Sequence, residues 1–515
     1  METEMAAESA DQAEVFAFLG DPATHGLREP VIRIDTHGAS VFLAGDDVYK
    51  VKRAVRFPFM DFSTLEKRRL ACEAEIEANR RNAPDLYLGV IPISRESNHL
   101  RLGKGSEIIE WAVHLRRFDE NRTLDRLAAQ GPLEPKIAAQ FGEMVAAAHC
   151  KAPVFRDRNA TATLRAQIIE TGRGLADAGD VFPAEAAARL QGAMLGAFDD
   201  VEPLLLRREE AGDVRRCHGD LHLRNIVMIG DAPVLFDALE FDEKLAICDR
   251  LYDLAFLLMD FWTRGHFSEA NLTMNRYLSA SDSLEAQLSG LKALPVFLSL
   301  RAAIRARVAT LEPSPSPETI ASARLLFAAA GDFLAFEAPR LVAIGGRSGT
   351  GKTQLARRLA ASIGRPPGAV HLRSDVARKR MFRVSELERL PQEAYQPEAS
   401  VPVYSRLYAL AALTLKTGQS VVIDAAFFKE SERADAEVAT GAGGAFLGLW
   451  LDAPLQARLQ RVSARHGDAS DAGPQVALAQ EDVSLGEINW VRVDAAQPPE
   501  RVAQAALAVL QKPGA

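Results

Sequence analysis

Two folds in tandem are predicted by the sequence: an α+β, two-lobed N-terminal domain over residues 1–338, and an α/β domain with a doubly wound parallel sheet over residues 339–515. Three stretches carry that division. Between Val31 and Lys52 three short apolar-alternating runs are separated by turns, and a long helix-forming run follows. Between Val214 and Val227 stands a compact polar cluster, His218-Gly219-Asp220 and Asn225, with Asp237 twelve residues beyond Asn225. At Leu341–Thr353 an apolar strand runs into the glycine-rich turn Gly346-Arg347-Ser348-Gly349-Thr350-Gly351-Lys352-Thr353, and a helix-forming run follows.

At 515 residues the chain has length for about three domain-sized units with large cores, and its 48% hydrophobic and 25% charged content is that of an ordinary globular protein. The net charge of −8 argues against a dedicated nucleic-acid or anionic-membrane partner. A small phosphorylated ligand needs only a local basic pocket. Cys72, Cys150, Cys217 and Cys248 are scattered without a C-x-x-C pair, so a reducing compartment and no structural zinc are expected. The acidic start Met1-Glu2-Thr3-Glu4-Met5 lacks the basic and apolar regions of a signal peptide, and no apolar run approaches a membrane span. A cytoplasmic location is the expectation.

In chain order, Gln12–Leu19 reads as a helix and Val31–Asp35, Ser40–Ala44 and Val48–Lys52 as strands. Side chains alternate along a strand, so Lys50 and Lys52 share a face. The helix from about Ser63 to Asn82 carries Glu75 in its middle; Gly89–Ser94 and Glu107–Phe118 read as two more strands joined by a polar turn. Strands with one inserted helix, then a long helical region from about Leu133, outline a protein-kinase-like two-lobed fold. Such a lobe holds nucleotide α/β-phosphates with a strand lysine paired to a mid-helix glutamate. Lys50 with Glu75 are the candidates, with Lys52 as the alternative lysine; a solvated basic strand face is the plainer reading of both lysines. No G-x-G-x-x-G lies between the first two strands, which leaves the small turn Thr36–Ser40 to cover phosphates.

Asp220 precedes Asn225 by five residues, and Asp237 ends the apolar run Pro233–Phe236. Protein kinases space a catalytic-loop Asp, a magnesium-binding Asn and a second metal-binding Asp in this way. Phosphoryl transfer is largely positioning and charge neutralisation, so one carboxylate must orient the acceptor hydroxyl while further oxygens grip Mg²⁺. Asp220 is the candidate catalytic base, with Asn225 and Asp237 as metal ligands. Taken singly, Asp220 could be a turn residue and His218 a packed histidine; the spacing of the set argues otherwise.

With those residues in view, HGDLHLRN, LFDALEFDE and DRLYDLAFL resemble the aminoglycoside phosphotransferase-like kinases, in which H-G-D replaces H-R-D. The run VYKVKRAVRFPFMDFSTLEKRR resembles a bacterial branch of that superfamily in which the kinase is fused to a C-terminal P-loop domain. The resemblance spans essentially the whole chain and implies fold and nucleotide chemistry, but no particular acceptor. It further implies that Asp253 braces the catalytic loop. Asp237-Ala238-Leu239-Glu240 stands where D-F-G would, which removes a protein-kinase-style switch and makes Glu240 a further metal or substrate contact candidate.

In the C-terminal domain, Gly346–Thr353 fits G-x-x-x-x-G-K-[ST] in its strand–loop–helix context. Backbone N–H groups of Gly346, Arg347, Ser348, Gly349, Thr350 and Gly351 would cradle phosphates, Lys352 would reach the β/γ-phosphates and Thr353 would hold Mg²⁺. Val370-His371-Leu372 is a short strand leading to Asp375, either an acceptor-orienting base or, with Ser374, a helix N-cap. Ser420–Asp424 is a buried-type strand ending in an acid suited to Mg²⁺. Arg458, Arg461 and Arg465 share one helix side; Arg461 and Arg465 are lid candidates for the transferring phosphate, against a solvated basic face. The motif order resembles the zeta-toxin, gluconate-kinase and chloramphenicol-phosphotransferase group of P-loop kinases.

These observations add up to a phosphotransferase with two nucleotide sites that uses ATP (GTP is an alternative) and Mg²⁺ to phosphorylate hydroxyls of small molecules. Two rivals are a non-catalytic N-terminal nucleotide sensor and a P-loop ATPase acting on a protein partner. Intact Asp220, Asn225 and Asp237 weigh against the first, Asp375 and the arginine helix against the second.

Overall fold

The computed structural model describes residues 10–511 apart from 37, 58–59, 98, 157–158, 241, 312–313, 442–443 and 465–466. Packing divides the chain into two compact units: residues 1–133, 147–164 and 207–257 in the first, and 134–146, 165–206 and 258–515 in the second. The second unit thus takes in helices that precede the boundary expected at 338.

In the first unit a helix, α1 (Ala10–Gly20), lies against an antiparallel sheet formed by β1 (Ile32–Asp35), β2 (Ala39–Ala44), β3 (Asp47–Lys52), β4 (Tyr87–Glu96), β5 (His99–Leu102) and β6 (Glu107–Arg116), in the order β1-β2-β3-β6-β4-β5. The polar turn expected between Ser94 and Glu107 therefore contains an edge strand, β5, whose four residues are too polar and too few to show a period. Alternation does the sorting in β3. Tyr49 and Val51 join Val15, Phe16, Leu19, Phe42 and Ile93 in the core beneath α1, while Lys50 and Lys52 point to the other face. Burying a side chain such as Phe42 contributes on the order of 2 kcal/mol.

That other face is covered by α2 (Leu65–Arg80), which Thr64 caps by accepting the Lys67 N–H at 3.3 Å. Its buried residues are Arg68, Cys72, Glu75 and Asn79, spaced three and four apart on one stripe. The stripe is polar, so it survives burial only by being paired. Arg68 Nε meets the Glu110 carboxylate at 2.9 Å, and Gln12 Nε2 donates to Glu110 Oε2 at 2.8 Å. Three short ladders also belong to the unit: Arg56–Phe57 with Met60–Asp61, β7 (Val214–Arg216) with β10 (Ile247–Asp249), and the hairpin of β8 (Ile226–Ile229) and β9 (Ala232–Leu235).

In the second unit five strands, β11 (Arg340–Gly346), β12 (Val370–Arg373), β13 (Val421–Asp424), β14 (Ala445–Asp452) and β15 (Val491–Asp494), form an all-parallel sheet in the order β12-β13-β11-β14-β15. The strand order reverses at β11, and the phosphate loop leaves the carboxyl end of that central strand, where open α/β sheets bind ligands. The edge strand β12 is covered by α3 (Phe267–Ala280). Asn275 Oδ1 accepts the His371 N–H at 2.7 Å, and Asn271 Nδ2 donates to Ala369 O at 3.0 Å, so side-chain amides stand in for a sixth strand. Those bonds tie α3, which precedes residue 338, to the parallel sheet. Among the described residues no helix is long and apolar enough to cross a membrane.

Candidate active sites

In the first unit the two lysines of β3 and the glutamate of α2 come together as one network. Lys50 Nζ lies 2.9 Å from Glu75 Oε1 and 2.7 Å from Asp237 Oδ1; Lys52 Nζ lies 2.6 Å from Glu75 Oε2 and 2.5 Å from Glu240 Oε1. Both candidate lysines therefore pair with Glu75, each through its own carboxylate oxygen. Neither lines a solvated face, since Lys52 is 2% and Lys50 17% exposed. Burial alone would pull the Lys50 ammonium down, but the Asp237 and Glu75 carboxylates outweigh it and hold the group charged. Burial likewise pushes Glu75 up, and the two lysine charges bring it below the ordinary carboxylate range.

Asp237 sits at φ +58°, a left-handed conformation uncommon outside glycine. Two neighbours hold it there: Tyr87 Oη accepts the Asp237 N–H at 2.9 Å, and Asn79 Oδ1 accepts the Ala238 N–H at 2.7 Å. Its carboxylate remains 44% exposed.

The loop from His218 to Asn225 hangs from Asp253, which is fully buried. Asp253 Oδ1 accepts the Gly219 N–H at 2.8 Å, and Oδ2 accepts the His218 N–H at 3.1 Å and lies 3.1 Å from His149 Nε2. The bracing position implied by the family resemblance is the one Asp253 occupies. Gly219 has φ +82°, and a Cβ there would come within 2.9 Å of Leu239 Cβ and 3.3 Å of the Ala246 backbone. That crowding is why glycine, and no larger residue, stands between His218 and Asp220. His218 Nε2 donates to Phe236 O at 2.9 Å, and burial lowers its pKa, so the ring stays neutral and ties the loop to the strand leading to Asp237. Asn225 Nδ2 donates to Asp220 O at 2.9 Å and to Asp220 Oδ2 at 3.0 Å. The Asp220 carboxylate is 40% exposed and reachable.

His149, Cys217 and Asp253 offer ligand atoms within 4.8 Å of one another, the spacing of a metal site. Burial pushes the Cys217 thiol well up, though, and both Asp253 oxygens already accept loop N–H groups. The trio is held by hydrogen bonds.

In the second unit the phosphate loop opens α4 (Lys352–Ala360). Gly346, Gly349 and Gly351 have φ of +144°, +84° and +93°; a Cβ on Gly346 would meet Leu451 O at 2.7 Å. Lys352 Nζ donates to Arg347 O at 3.1 Å, and the Thr353 hydroxyl donates to Asp424 Oδ2 at 2.5 Å. Burial pushes the Asp424 carboxyl up, but His371, Lys352 and Arg373 outweigh it and hold it at about 2. Gln480, which sequence reasoning missed, lies on this loop. Its Oε1 accepts the Ser348 N–H at 2.7 Å, its Nε2 donates to Ser348 Oγ at 3.0 Å, and its backbone O accepts from Arg347 Nε at 2.9 Å. One N–H of the expected phosphate cradle is thus taken by a side-chain amide.

Asp375 is the second residue of α5 (Ser374–Met381), whose N-cap is Arg373 with no side-chain capping bond. The capping alternative for Ser374 and Asp375 is not what the structure contains. Burial raises the Asp375 carboxyl above its ordinary value, which Arg373 and Lys352 offset only in part. Lys352, Thr353, Asp375, Asp424 and Arg461 line one cavity of about 1100 Å³. On the arginine helix, α6 (Leu455–Ser463), Arg458 is turned inward and Arg461 is exposed. Arg458 is buried, pairs with Glu481 and reaches Ser348 O at 3.4 Å; Arg461 Nη1 donates to Ala495 O at 2.9 Å and to Gly349 O at 3.5 Å. Arg465 falls outside the described residues.

Nothing in the sequence pointed to His149, Tyr87, Asn79 or Gln480, because each acts through contacts made by folding. Comparison with known proteins follows the same division. Residues 67–291 match the phosphotransferase enzyme family, and residues 341–484 match the AAA domain. An uncharacterized protein of Mycobacterium tuberculosis is 30% identical over 490 residues, 92% of this chain and 94% of its own length, and one of Mycobacterium bovis matches to the same extent. Among solved structures, a choline/ethanolamine kinase family protein from Mesorhizobium loti is 16% identical over 63% of this chain and 95% of its own, with a TM-score of 0.38. An unliganded sugar kinase from a Janibacter species is 24% identical over 33% of this chain and 94% of its own, with a TM-score of 0.27.

Proposed function

The chain belongs to the family of these mycobacterial proteins and joins phosphotransferase-enzyme-family residues to AAA-domain residues; on that premise we propose that it is a kinase with two ATP sites, each phosphorylating a hydroxyl group of a small molecule. The observation that carries the reading is the placement of Asp220: fixed by Asn225 at 3.0 Å, on a loop hung from Asp253, and followed by Asp237 on its ion pair with Lys50.

In the N-terminal site the exposed Asp220 carboxylate orients the acceptor hydroxyl and accepts its proton as the phosphoryl group transfers. Lys50, kept charged and aimed by Glu75, takes the nucleotide phosphates. Asn225 and Asp237 would hold Mg²⁺, and the donor atoms suit it: the Asn225 amide nitrogen is committed to Asp220, which leaves its amide oxygen, together with the Asp237 carboxylate, as hard ligands. Bound there, the cation supplies neutralisation of phosphate charge. In the C-terminal site Lys352 serves the phosphates, Thr353 and Asp424 are the oxygen ligands for Mg²⁺, and Asp375 faces the acceptor across the shared cavity. Arg461, anchored on the Gly349 carbonyl, stands at the rim of the same cavity. The acidic net charge and the absence of a membrane-spanning helix among the described residues fit a cytoplasmic enzyme acting on small molecules.

The test is transfer of label from γ-labelled ATP to a pool of small hydroxylated metabolites by the full-length protein, with and without magnesium. A labelled small molecule that disappears when magnesium is chelated supports the reading; ATP consumption with label appearing only in inorganic phosphate or in protein overturns it.

A further inference from the structure

A second cavity of the second unit, about 590 Å³, lies on the far side of α5 from the phosphate loop. It is bounded by α3, β12 and α5, and its volume is that of a small-molecule site. Its walls carry five arginines: Arg276, Arg357, Arg373, Arg380 and Arg406. Three of them are neutralised. Arg276 pairs with Glu143 and Glu386, Arg373 Nη2 with Asp468 at 2.7 Å, and Arg406 with Glu285.

The other two are not. Arg380 donates to the Ser279 carbonyl, which carries no charge, and no carboxylate lies within ion-pair distance of it among the described residues. Arg357 makes neither a hydrogen bond nor an ion pair with any described residue. Behind this wall, on β12, His371 Nε2 and Arg373 Nε lie 3.7 Å and 3.9 Å from the same Asp424 oxygen. Burial depresses the Arg380 guanidinium, and the Glu386 carboxylate offsets this only in part.

We infer that this cavity binds the phosphate group of a small phosphorylated metabolite, at a site separate from the phosphate-loop cavity. Two guanidinium groups without an ion-pair partner match the charge of a phosphomonoester dianion, and their forked N–H donors suit its three terminal oxygens. Apolar Leu278, Val376 and Leu407 line the remainder and leave room for a carbon skeleton. The site borders the phosphate loop at two points. Arg357 lies on α4 and lines both cavities, and His371 and Arg373 flank the Asp424 oxygen that takes the Thr353 hydroxyl.

Arg380 lines only this cavity, so it reports on this site whatever the phosphate loop binds. The test is arginine modification by phenylglyoxal on the full-length protein, mapped by mass spectrometry, with inorganic phosphate, glycerol 3-phosphate or acetate added. Loss of modification at Arg380 with both phosphates but not with acetate is the expected result. Unchanged modification of Arg380 with either phosphate, or equal protection by acetate, overturns the proposal. Calorimetry gives a second reading: the heat of glycerol 3-phosphate binding should be lost in Arg380→Gln, and binding retained in a folded Arg380→Gln protein would equally refute it.

Discussion

Asp253 and Gly219 are joined by a 2.8 Å hydrogen bond from the backbone of a tight loop to a fully buried carboxylate, and the position of Asp220 follows from it. Asp253→Asn would turn one acceptor oxygen into a donor facing a backbone N–H. An unsatisfied buried donor costs about 1–3 kcal/mol, which chemical denaturation would register. Displacing the loop by an ångström costs turnover roughly 100-fold. Parent-level N-terminal phosphotransfer in a folded Asp253→Asn protein would show that the loop positions itself without the brace.

The shared carboxylate of Glu75 separates the two lysines by what each replacement leaves behind. Lys52→Met leaves Glu75 to Lys50 alone and strands the largely buried Glu240, and breaking such a pair costs about 3–5 kcal/mol. Lys50→Met leaves Glu75 with its Lys52 partner and Asp237 partly in solvent, so its main effect falls on turnover, on the order of 100-fold or more. Denaturation midpoints and phosphotransfer rates of both variants decide the assignment. The opposite pattern would make Lys52 the phosphate-binding lysine.

How legible was this site? Lys50, Glu75, Asp220, Asn225 and Asp237 were visible because strand alternation and the spacing along one loop are local properties of the chain. The partners that hold them were not. His149 is 104 residues from Asp253 and Gln480 is 132 from Ser348, and neither separation leaves a periodic signal. The α2 face that packs on the sheet is Arg68, Cys72, Glu75 and Asn79, so an apolar pattern could not disclose it. Asn271 and Asn275 are polar residues of a helix with no apolar signal of their own, yet they close the edge of the parallel sheet. The parallel core itself was plain, since strands such as Val421–Asp424 are buried throughout.

Gln480 occupies a loop N–H that the phosphate cradle needs. Gln480→Ala removes one competing hydrogen bond, worth about 0.5–1.5 kcal/mol, so nucleotide should bind roughly 2- to 10-fold more tightly by calorimetry. Weaker binding would mean that the Gln480 amide serves the nucleotide itself.

Asp375 has its folded pKa raised by burial, so folding favours its protonated form. That preference is fully expressed below the ordinary value of 3.8 and is lost as pH rises through the raised value, which leaves a penalty at neutral pH. Asp375→Asn should therefore raise the Tm at pH 7, with the gain shrinking as pH falls toward 3.8, while C-terminal phosphotransfer is lost. A Tm lowered at pH 7 would mean that the carboxylate, paired with Arg373 and Lys352, stabilises the fold instead.

Asp220 and Lys352 sit in different compact units, and neither set of residues lacks a part that the other supplies. On the proposed reading the first supplies a base, a phosphate lysine and two oxygen ligands, and the second supplies the same through Asp375, Lys352, Thr353 and Asp424. Two complete sites should fail separately. Asp220→Ala in the full-length protein should abolish the N-terminal transfer and leave C-terminal nucleotide binding and turnover near the parent level, and Lys352→Ala should do the reverse. Loss of one electrostatic contributor of this kind costs about 100- to 1000-fold in rate, well clear of the error of either assay. If one substitution silences both activities while the protein remains folded, the two sets of residues act as one composite or coupled site, and the two-kinase reading is wrong.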